Sequence, residues 1–104
     1  TDRLALLYVL QGGPRHRMTY TVELSSAAAK SLKKLDAPDR LRIAGAIELL
    51  SGEPRTPGAT MLRGGERGRW RVRVRGHRVV YTIEDDRLIV LVLRIAHRRE
   101  VHDR

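Results

Sequence analysis

Four arginines stand at alternate positions in the segment that runs from Gly68 to Tyr81. They are Arg69, Arg71, Arg73 and Arg75, and the residues between them are Trp70, Val72 and Val74. A guanidinium group grips phosphate oxygens through a planar fork of donors and stays charged at any physiological pH. Because the side chains of a β-strand alternate between two faces, this spacing predicts a strand with one cationic face and one apolar face. The chemistry that it predicts is the binding of a polyanion.

The same segment predicts a β-hairpin. Gly76 and His77 have the Gly-X form of a type II′ turn, and a β-rich run from Arg78 to Ile83 follows them. A two-residue loop there puts Arg75 opposite Arg78, and the arginines that share a face are then Arg71, Arg73, Arg75 and Arg78. The other, core-facing side carries Trp70, Val72, Val74, Val79, Tyr81 and Ile83. Like charges opposed this closely destabilise a sheet, so a polyanion outside the fold is expected to stabilise the arrangement.

The composition indicates one basic domain without cysteine chemistry. The chain has 104 residues, with 21 Lys and Arg against 12 Asp and Glu, and a formal net charge of +9. Nucleic acid is therefore the first partner to consider, and an acidic protein is the second. Cysteine is absent, which excludes disulfides, a thiolate nucleophile and a cysteine metal site.

No apolar run approaches the roughly 20 residues that span a membrane, so we expect a cytoplasmic protein with no cofactor, no metal and no membrane contact.

Residues 18–104 are predicted to form this domain in the element order β-α-α-β-β-β. In chain order the elements are a strand at 19–24, a helix at 27–35 capped by Ser25 or Ser26, a helix from Pro38 or Asp39 to about Ser51, the two hairpin strands, and a strand at 88–95. The second helix carries a predicted core stripe of Leu41, Ala44, Ile47 and Leu50. Residues 53–68 hold glycines and prolines without periodicity, which predicts a long exposed connection. The last strand is apolar at both odd and even positions, as is typical of a central strand that is covered on both faces.

Residues 1–17 do not fit this pattern. Their apolar run precedes a basic segment, which is the wrong order for a signal peptide. We interpret them as an upstream extension before a native start at Met18. The alternative is a short extra helix or strand that packs onto the sheet.

Strict alternation along the last strand separates its arginines from those of the hairpin. If Asp85 and Asp86 form a two-residue loop, strict alternation places Arg94 and Arg98 on the same face as Tyr81, away from the other arginines. Arg98 must then reach that site from beyond the end of the strand, or a β-bulge must intervene.

Four motifs together resemble one family of proteins. They are Leu62-Arg63-Gly64, the strand at 68–74, the run from Gly76 to Tyr81, and His97-Arg98-Arg99-Glu100-Val101. In this order, and on these elements, they resemble the RelE/ParE superfamily of bacterial toxins, on the RelE side, from Met18 to about His102. The resemblance implies an α+β fold in which a small, mostly antiparallel sheet packs on a helical hairpin.

The resemblance also implies an activity and partners. Proteins of the RelE type are ribosome-dependent endoribonucleases that cut mRNA in the decoding site. A cognate antitoxin wraps and neutralises the toxin, and the pair represses its own operon, so operator DNA is contacted only through the complex. The implied cofactor requirement is none.

Particular residues inherit roles from the resemblance. The implied phosphate-holding residues are Arg71, Arg73, Arg78 and the C-terminal Arg98. Around them, we expect RNA-binding contacts from Arg63, Arg69, Arg75, His97 and Arg99. Two departures stand out: relatives often carry lysines where this chain has Arg71 and Arg73, and His102 replaces a C-terminal tyrosine that stacks on the substrate base.

The arginines suit metal-independent cleavage of RNA. The 2′-hydroxyl attacks the adjacent phosphorus, and positive donors already in place stabilise the dianionic transition state. The products are a 2′,3′-cyclic phosphate and a 5′-hydroxyl, and DNA is not cut because it lacks the nucleophile. Since arginine cannot accept a proton, we expect His102 to act as the base or as the stacking group, with His97 as the second candidate.

The sequence is also compatible with two other functions, and with arginines that serve only to keep the surface solvated. A ParE-like toxin would poison DNA gyrase without catalysis, and an inactive relative would keep only antitoxin binding and operon regulation. The arginines could also form an ordinary solvated face. The clustering of Arg71, Arg73, Arg78 and Arg98 favours the nuclease.

Overall fold

In the computed structural model, which describes residues 20–97, two helices pack on one face of a five-stranded sheet. The elements are β1 (Thr21–Leu24), α1 (Ser26–Lys34), α2 (Ala37–Gly52), β2 (Thr60–Met61), a 3₁₀ turn (Gly64–Glu66), β3 (Trp70–Val74), β4 (His77–Glu84) and β5 (Ile89–His97). The strand order is β1-β5-β4-β3-β2, with β1 and β5 parallel and the other pairs antiparallel. The predicted α+β fold is confirmed, with the short strand β2 added inside the predicted connection. The extension at 1–17 and the residues Arg98, Arg99 and His102 lie outside the described residues.

The core lies between the two helices and the sheet. Its buried side chains come from both helices and from β1, β4 and β5, and the largest of them are Tyr81, Leu24, Ile43, Ile47 and Leu50. The predicted core position of Leu41 is wrong, because its side chain is 63% exposed. The buried stripe of α2 centres on Ile43 and Ile47, and Leu41 lies about 200° around the helix axis from Ile43.

The predicted loop of the β3–β4 hairpin is also wrong. Val74 pairs with His77, so the loop is Arg75-Gly76, and Arg73 rather than Arg75 lies opposite Arg78. Arg75 adopts a φ of 58°, a conformation that is uncommon for residues other than glycine. The observed register pairs Trp70 with Tyr81 and Val72 with Val79, and cross-strand pairs of this kind stabilise a sheet.

This change moves Arg75 off the strand and His77 onto it. His77 is only 8% exposed, so it does not fill a solvent-facing turn as the Gly-X pattern predicted. The two registers differ by two residues, an even step, and therefore leave every other side chain of the hairpin on its predicted face.

A β-bulge in β5 changes which side chains of this strand face the core. Val80 pairs with Arg94 but the next residue, Tyr81, pairs with Val92, which leaves Leu93 as the extra residue of β5. The bulge puts Arg94 on the face of Arg71 and Arg78 instead of the core face.

Ser25 holds the bulge in place. Its hydroxyl donates to the carbonyl of Leu93 at 2.6 Å, and its backbone N–H donates to the carbonyl of Val92 at 2.9 Å. The same Oγ accepts from the N–H of Ala28 at 3.0 Å, which identifies Ser25 as the N-cap of α1. One serine therefore begins the first helix and fixes the irregularity that reorients Arg94.

A polar cluster ties the connection after α2 to the β4–β5 loop. Arg55 donates to both carboxylate oxygens of Asp85, at 3.1 and 2.8 Å, and the hydroxyl of Tyr20 donates to the same carboxylate at 2.7 Å. The guanidinium of Arg55 also lies 5.6 Å from the ring centroid of Trp70, within the range of a cation–π contact. The cluster anchors the start of the segment that leads to the arginine strand.

The pH dependence of stability tests this cluster. Hydrogen bonds from Arg55 and then from Tyr20 lower the pKa of Asp85 from 3.8 to about 2. A group whose pKa is depressed by folding stabilises the fold above its unfolded pKa, and that stabilisation is lost as the pH falls through the folded pKa. We expect Asp85→Asn to lower the urea midpoint at pH 7, and we expect its difference from wild type to shrink as the pH falls from about 4 to about 2.

The neighbouring exposed Asp86 provides the matched control. Asp86→Asn removes the same charge from the same loop but none of the hydrogen bonds that Asp85 accepts. A difference between Asp85→Asn and wild type that stays constant over this pH range would contradict the assigned ion pair.

Candidate functional site

Four arginines lie on the sheet face opposite the helices, and we call this set the arginine face. Its members are Arg71, Arg73, Arg78 and Arg94. Arg73 lies directly opposite Arg78, which places the two Cα atoms about 4.5–5.5 Å apart. Arg71 and Arg94 flank Val80 from the two neighbouring strands, in the adjacent row of the sheet. Three strands therefore supply guanidinium groups to one small area.

The arginine stems also build the surface beneath the charges. Val80 is only 2% exposed, although both helices lie on the other side of the sheet. Its cross-strand neighbours on this face are Arg71 and Arg94, and aliphatic arginine stems can cover an apolar side chain while their charged ends stay in water. Arg71 packs closely enough on this surface that its Nε is itself buried.

Glu66 places a carboxylate on the arginine face. Arg94 donates through Nη2 to Oε2 and Oε1 of Glu66, at 2.9 and 3.2 Å, and Arg69 donates through Nη1 to Oε1 at 3.3 Å. The hydrogen bond from Arg94 is the largest cause that lowers the pKa of Glu66 below its usual value, and Arg69 adds to it. Glu66 is therefore ionised throughout the neutral range.

The backbone holds Glu66 in this position. The 3₁₀ turn begins at Gly64, whose φ is 67°, and is followed by Gly68, whose φ is 92°. The N–H of Arg69 donates to the carbonyl of Glu66 at 3.0 Å, and the N–H of Arg67 donates to that of Gly64 at 3.1 Å. These bonds fold the segment before β3 so that Glu66 reaches Arg94 in β5.

Sequence reasoning missed Arg94 and Glu66 as members of the site. The sheet face on which Arg94 lies depends on the bulge at Leu93, and no residue type in β5 is a signal for a bulge. Glu66 lies in a stretch without periodicity, where the glycines at 64 and 68 were the available signal for a folded turn.

The other predicted residues occupy different places. Arg69 contacts Glu66 beside the arginine face, whereas Arg75 and Arg63 are exposed, in the hairpin loop and before the 3₁₀ turn. His97 ends β5 on the opposite face, where its ring meets that of His77 edge-on with the centroids 5.0 Å apart. Of the predicted residues that the structure describes, it therefore brings together Arg71, Arg73 and Arg78, with Arg69 at the margin.

This arrangement is suited to binding a phosphodiester. Several fixed donors around one anion stabilise charge as it develops, which is the main requirement of phosphoryl chemistry. Between residues 20 and 97, no three histidine or acidic side chains lie close enough to hold a metal ion. In the same range, no helix is long and apolar enough to cross a membrane.

The sequence and the fold both match known toxins. The family model described as the ParE toxin of the type II toxin–antitoxin system parDE matches residues 22–102. The toxin–antitoxin complex RelBE2 from Mycobacterium tuberculosis contains a chain that is 30% identical, with a TM-score of 0.63, and the match covers 79% of this chain and 94% of that one. No curated protein sequence matches.

A second solved structure shares the fold at lower identity. It is the archaeal RelE–RelB complex from Pyrococcus horikoshii OT3, with 23% identity and a TM-score of 0.70, and the match covers 81% of this chain and 100% of that one. The family match spans most of the domain, including the hairpin that carries Arg71, Arg73 and Arg78. The chain belongs to the RelE/ParE superfamily of type II toxin–antitoxin toxins.

Proposed function

We propose that this toxin is a metal-independent endoribonuclease that cleaves mRNA on the ribosome. The observation that carries the proposal is the convergence of Arg71, Arg73 and Arg78, joined by Arg94, on one face of the sheet. A toxin that acted only by binding a protein would not need guanidinium groups from three strands on one small area of the sheet. The site of action would be the cytoplasm, where translating ribosomes are found.

The proposed reaction starts with the 2′-hydroxyl of the RNA. Its oxygen attacks the adjacent phosphorus, and the bond to the 5′-oxygen breaks, leaving a 2′,3′-cyclic phosphate and a 5′-hydroxyl. Arg73 and Arg78, which lie directly opposite each other, are placed to hold the two non-bridging oxygens of the phosphate as its charge increases. Arg71 adds a third donor from the next row of the sheet.

The C-terminal residues complete the proposed site. Arg98 remains the proposed fourth phosphate contact, and His102 the proposed stacking or proton-transfer group. Arg63, Arg69, Arg75 and Arg99 are proposed to contact the RNA backbone around the cut. His97 is the weaker proposal, because its ring lies on the helix side of the sheet.

We also propose a cognate antitoxin as the physiological partner. The solved relatives from Mycobacterium tuberculosis and Pyrococcus horikoshii are toxin–antitoxin complexes. A chain with a formal net charge of +9 suits an acidic partner. An antitoxin that covers the arginine face would block RNA directly, and operator DNA would be contacted only through the pair.

A second candidate function is inhibition of DNA gyrase without catalysis. It is favoured by the family model that matches the chain, which is described as the ParE toxin. Such a toxin would leave mRNA intact. The arginine face favours the nuclease, because a gyrase inhibitor has no phosphodiester to stabilise during cleavage.

Induction of the toxin in cells separates the two functions. We expect transcript 5′ ends to accumulate inside translated codons within minutes of induction, while gyrase remains free of trapped DNA breaks. The control is the same induction after translation initiation is blocked, which should remove the new ends. Intact mRNA together with gyrase trapped on DNA would overturn the nuclease and support the second candidate.

A further inference from the structure

The arginine face needs a proton acceptor for the reaction proposed above. Its four arginines stay protonated at any physiological pH, so none of them can take the proton of the 2′-hydroxyl. Within residues 20–97, the carboxylate hydrogen-bonded to this face belongs to Glu66. Its position therefore supplies what the arginines lack.

The hydrogen bonds of Glu66 leave room for a substrate hydroxyl. An ionised carboxylate offers about four acceptor positions. Arg69 and Arg94 occupy two on Oε1, and Arg94 occupies one on Oε2, so Oε2 keeps an acceptor position. The side chain is a little over one third exposed, which keeps that oxygen within reach of RNA.

The row of side chains beneath Glu66 brings this oxygen near the phosphate donors. Glu66 contacts Arg94, and Arg94 lies across Val80 from Arg71 in the same row of the sheet. Neighbouring strands are about 4.8 Å apart, so the Cα atoms of Arg71 and Arg94 are separated by about 10 Å. The attacking 2′-oxygen lies only about 3–3.5 Å from its phosphorus in a reactive geometry, and arginine side chains are long enough to extend over Val80 from both sides toward one such nucleotide.

We propose that Glu66 is the proton acceptor for RNA cleavage. Its Oε2 takes the proton of the 2′-hydroxyl while the 2′-oxygen bonds to phosphorus and the bond to the 5′-oxygen breaks. The departing 5′-oxygen receives a proton from solvent water. This inference depends on the proposed ribonuclease function and adds to it the identity of the base.

The neutral isostere Glu66→Gln provides the first test. It keeps the Oε1 acceptor for Arg69 and Arg94 but cannot take a proton. With purified full-length protein and ribosomes carrying a labelled mRNA, we expect single-turnover cleavage to fall by about 10²–10⁴-fold. Binding to an mRNA with a 2′-deoxy nucleotide at the cut site should be unchanged or tighter, because one negative charge has been removed.

Glu84→Gln is the matched control. Glu84 lies on the same sheet face as Arg78 by strand alternation, and it pairs with Arg87 at 3.1 Å. It is the last residue of β4, whereas Arg78 is near the start of that strand. We expect this variant to cleave at the wild-type rate. Glu66→Ala gives a second variant, whose activity should be restored by added acetate or formate but not by chloride.

The pH profile separates a carboxylate base from an imidazole base. The charged groups that contact Glu66 are Arg69 from the segment before β3 and Arg94 from β5, and both favour its ionised form. With a carboxylate base the rate does not fall between about pH 7.5 and about pH 5.5, whereas a histidine base with an ordinary pKa would lose about tenfold over that range.

The outcomes distinguish this inference from the proposed function. Cleavage by Glu66→Gln within about threefold of wild type, with cleavage lost in Arg78→Ala, would overturn the role of Glu66 and leave the nuclease standing. An equal loss of RNA binding and cleavage in Glu66→Gln would also overturn it, because that result indicates a role in positioning arginines. Absence of cleavage by the wild-type protein would overturn both.

Discussion

Replacement of Arg78 by alanine is expected to lower the rate of mRNA cleavage by about 10²–10³-fold, the usual effect of removing one donor to a developing oxyanion. Arg78 lies directly opposite Arg73, so the variant removes half of the pair that is placed to hold the non-bridging oxygens. Its side chain is on the face away from the core, so the fold should be retained. Single-turnover cleavage on programmed ribosomes measures the loss directly.

The control for Arg78→Ala must remove the same charge elsewhere. Arg87→Ala does so in the exposed loop between β4 and β5, where Arg87 pairs with Glu84 at 3.1 Å. We expect this variant to lose little activity, since a change in net charge alone acts weakly at physiological salt. Equal losses in the two variants would mean that the arginines act only through overall charge, and would contradict the assigned site.

The largest effect on stability is expected at Tyr81. This side chain is fully buried, and its hydroxyl donates to the carbonyl of Pro54 at 2.6 Å. Burial raises the pKa of Tyr81 to about 12, so the hydroxyl remains a donor over the whole neutral range. Tyr81→Ala is expected to lower the free energy of unfolding by about 3–5 kcal/mol, a large part of what a domain of this size has.

Tyr81→Phe separates the ring from the hydroxyl. It keeps the buried ring and removes the hydrogen bond to Pro54, which should cost about 1–3 kcal/mol because a buried carbonyl loses its partner. Urea denaturation followed by circular dichroism measures both variants. A Tyr81→Phe variant as stable as wild type would show that the hydrogen bond to Pro54 contributes nothing to the fold.

The sheet faces can be predicted from the sequence because two registers that differ by an even number of residues place every side chain on the same face. The predicted hairpin loop lies one residue later than the observed loop, yet the two registers differ by an even step, so Arg71, Arg73 and Arg78 stay together. The loop itself could not be predicted in this way. Turn rules assign a positive φ to glycine, whereas here Arg75 adopts it next to Gly76.

The remaining parts of the candidate site depend on tertiary contacts that local patterns do not contain. Arg94 joins the arginine face because Leu93 bulges, and the bulge is bound by Ser25 from a segment 68 residues away in sequence. Glu66 reaches Arg94 across 28 residues of sequence through a turn without periodicity. Long-range hydrogen bonds of this kind become visible only when the sheet is assembled.

The two missed residues change the chemical interpretation of the arginine face. An uninterrupted cluster of arginines is a binding surface that lacks an acceptor for a proton. With Glu66 on its margin, the same surface carries both fixed cations and an ionised carboxylate, which is the combination that cleavage by a 2′-hydroxyl requires.

The central claim, that this toxin cleaves RNA through its 2′-hydroxyl, is tested most directly by the chemistry of the product ends. Purified full-length protein would be added to ribosomes that hold one labelled mRNA codon in the decoding site, with a 2′-deoxy nucleotide at the cut site in a parallel sample. We predict fragments with a 2′,3′-cyclic phosphate and a 5′-hydroxyl from the all-ribose mRNA, and no cleavage of the 2′-deoxy mRNA. Cleavage of the 2′-deoxy mRNA, fragments that carry a 5′-phosphate, or no cleavage of either mRNA would contradict the account.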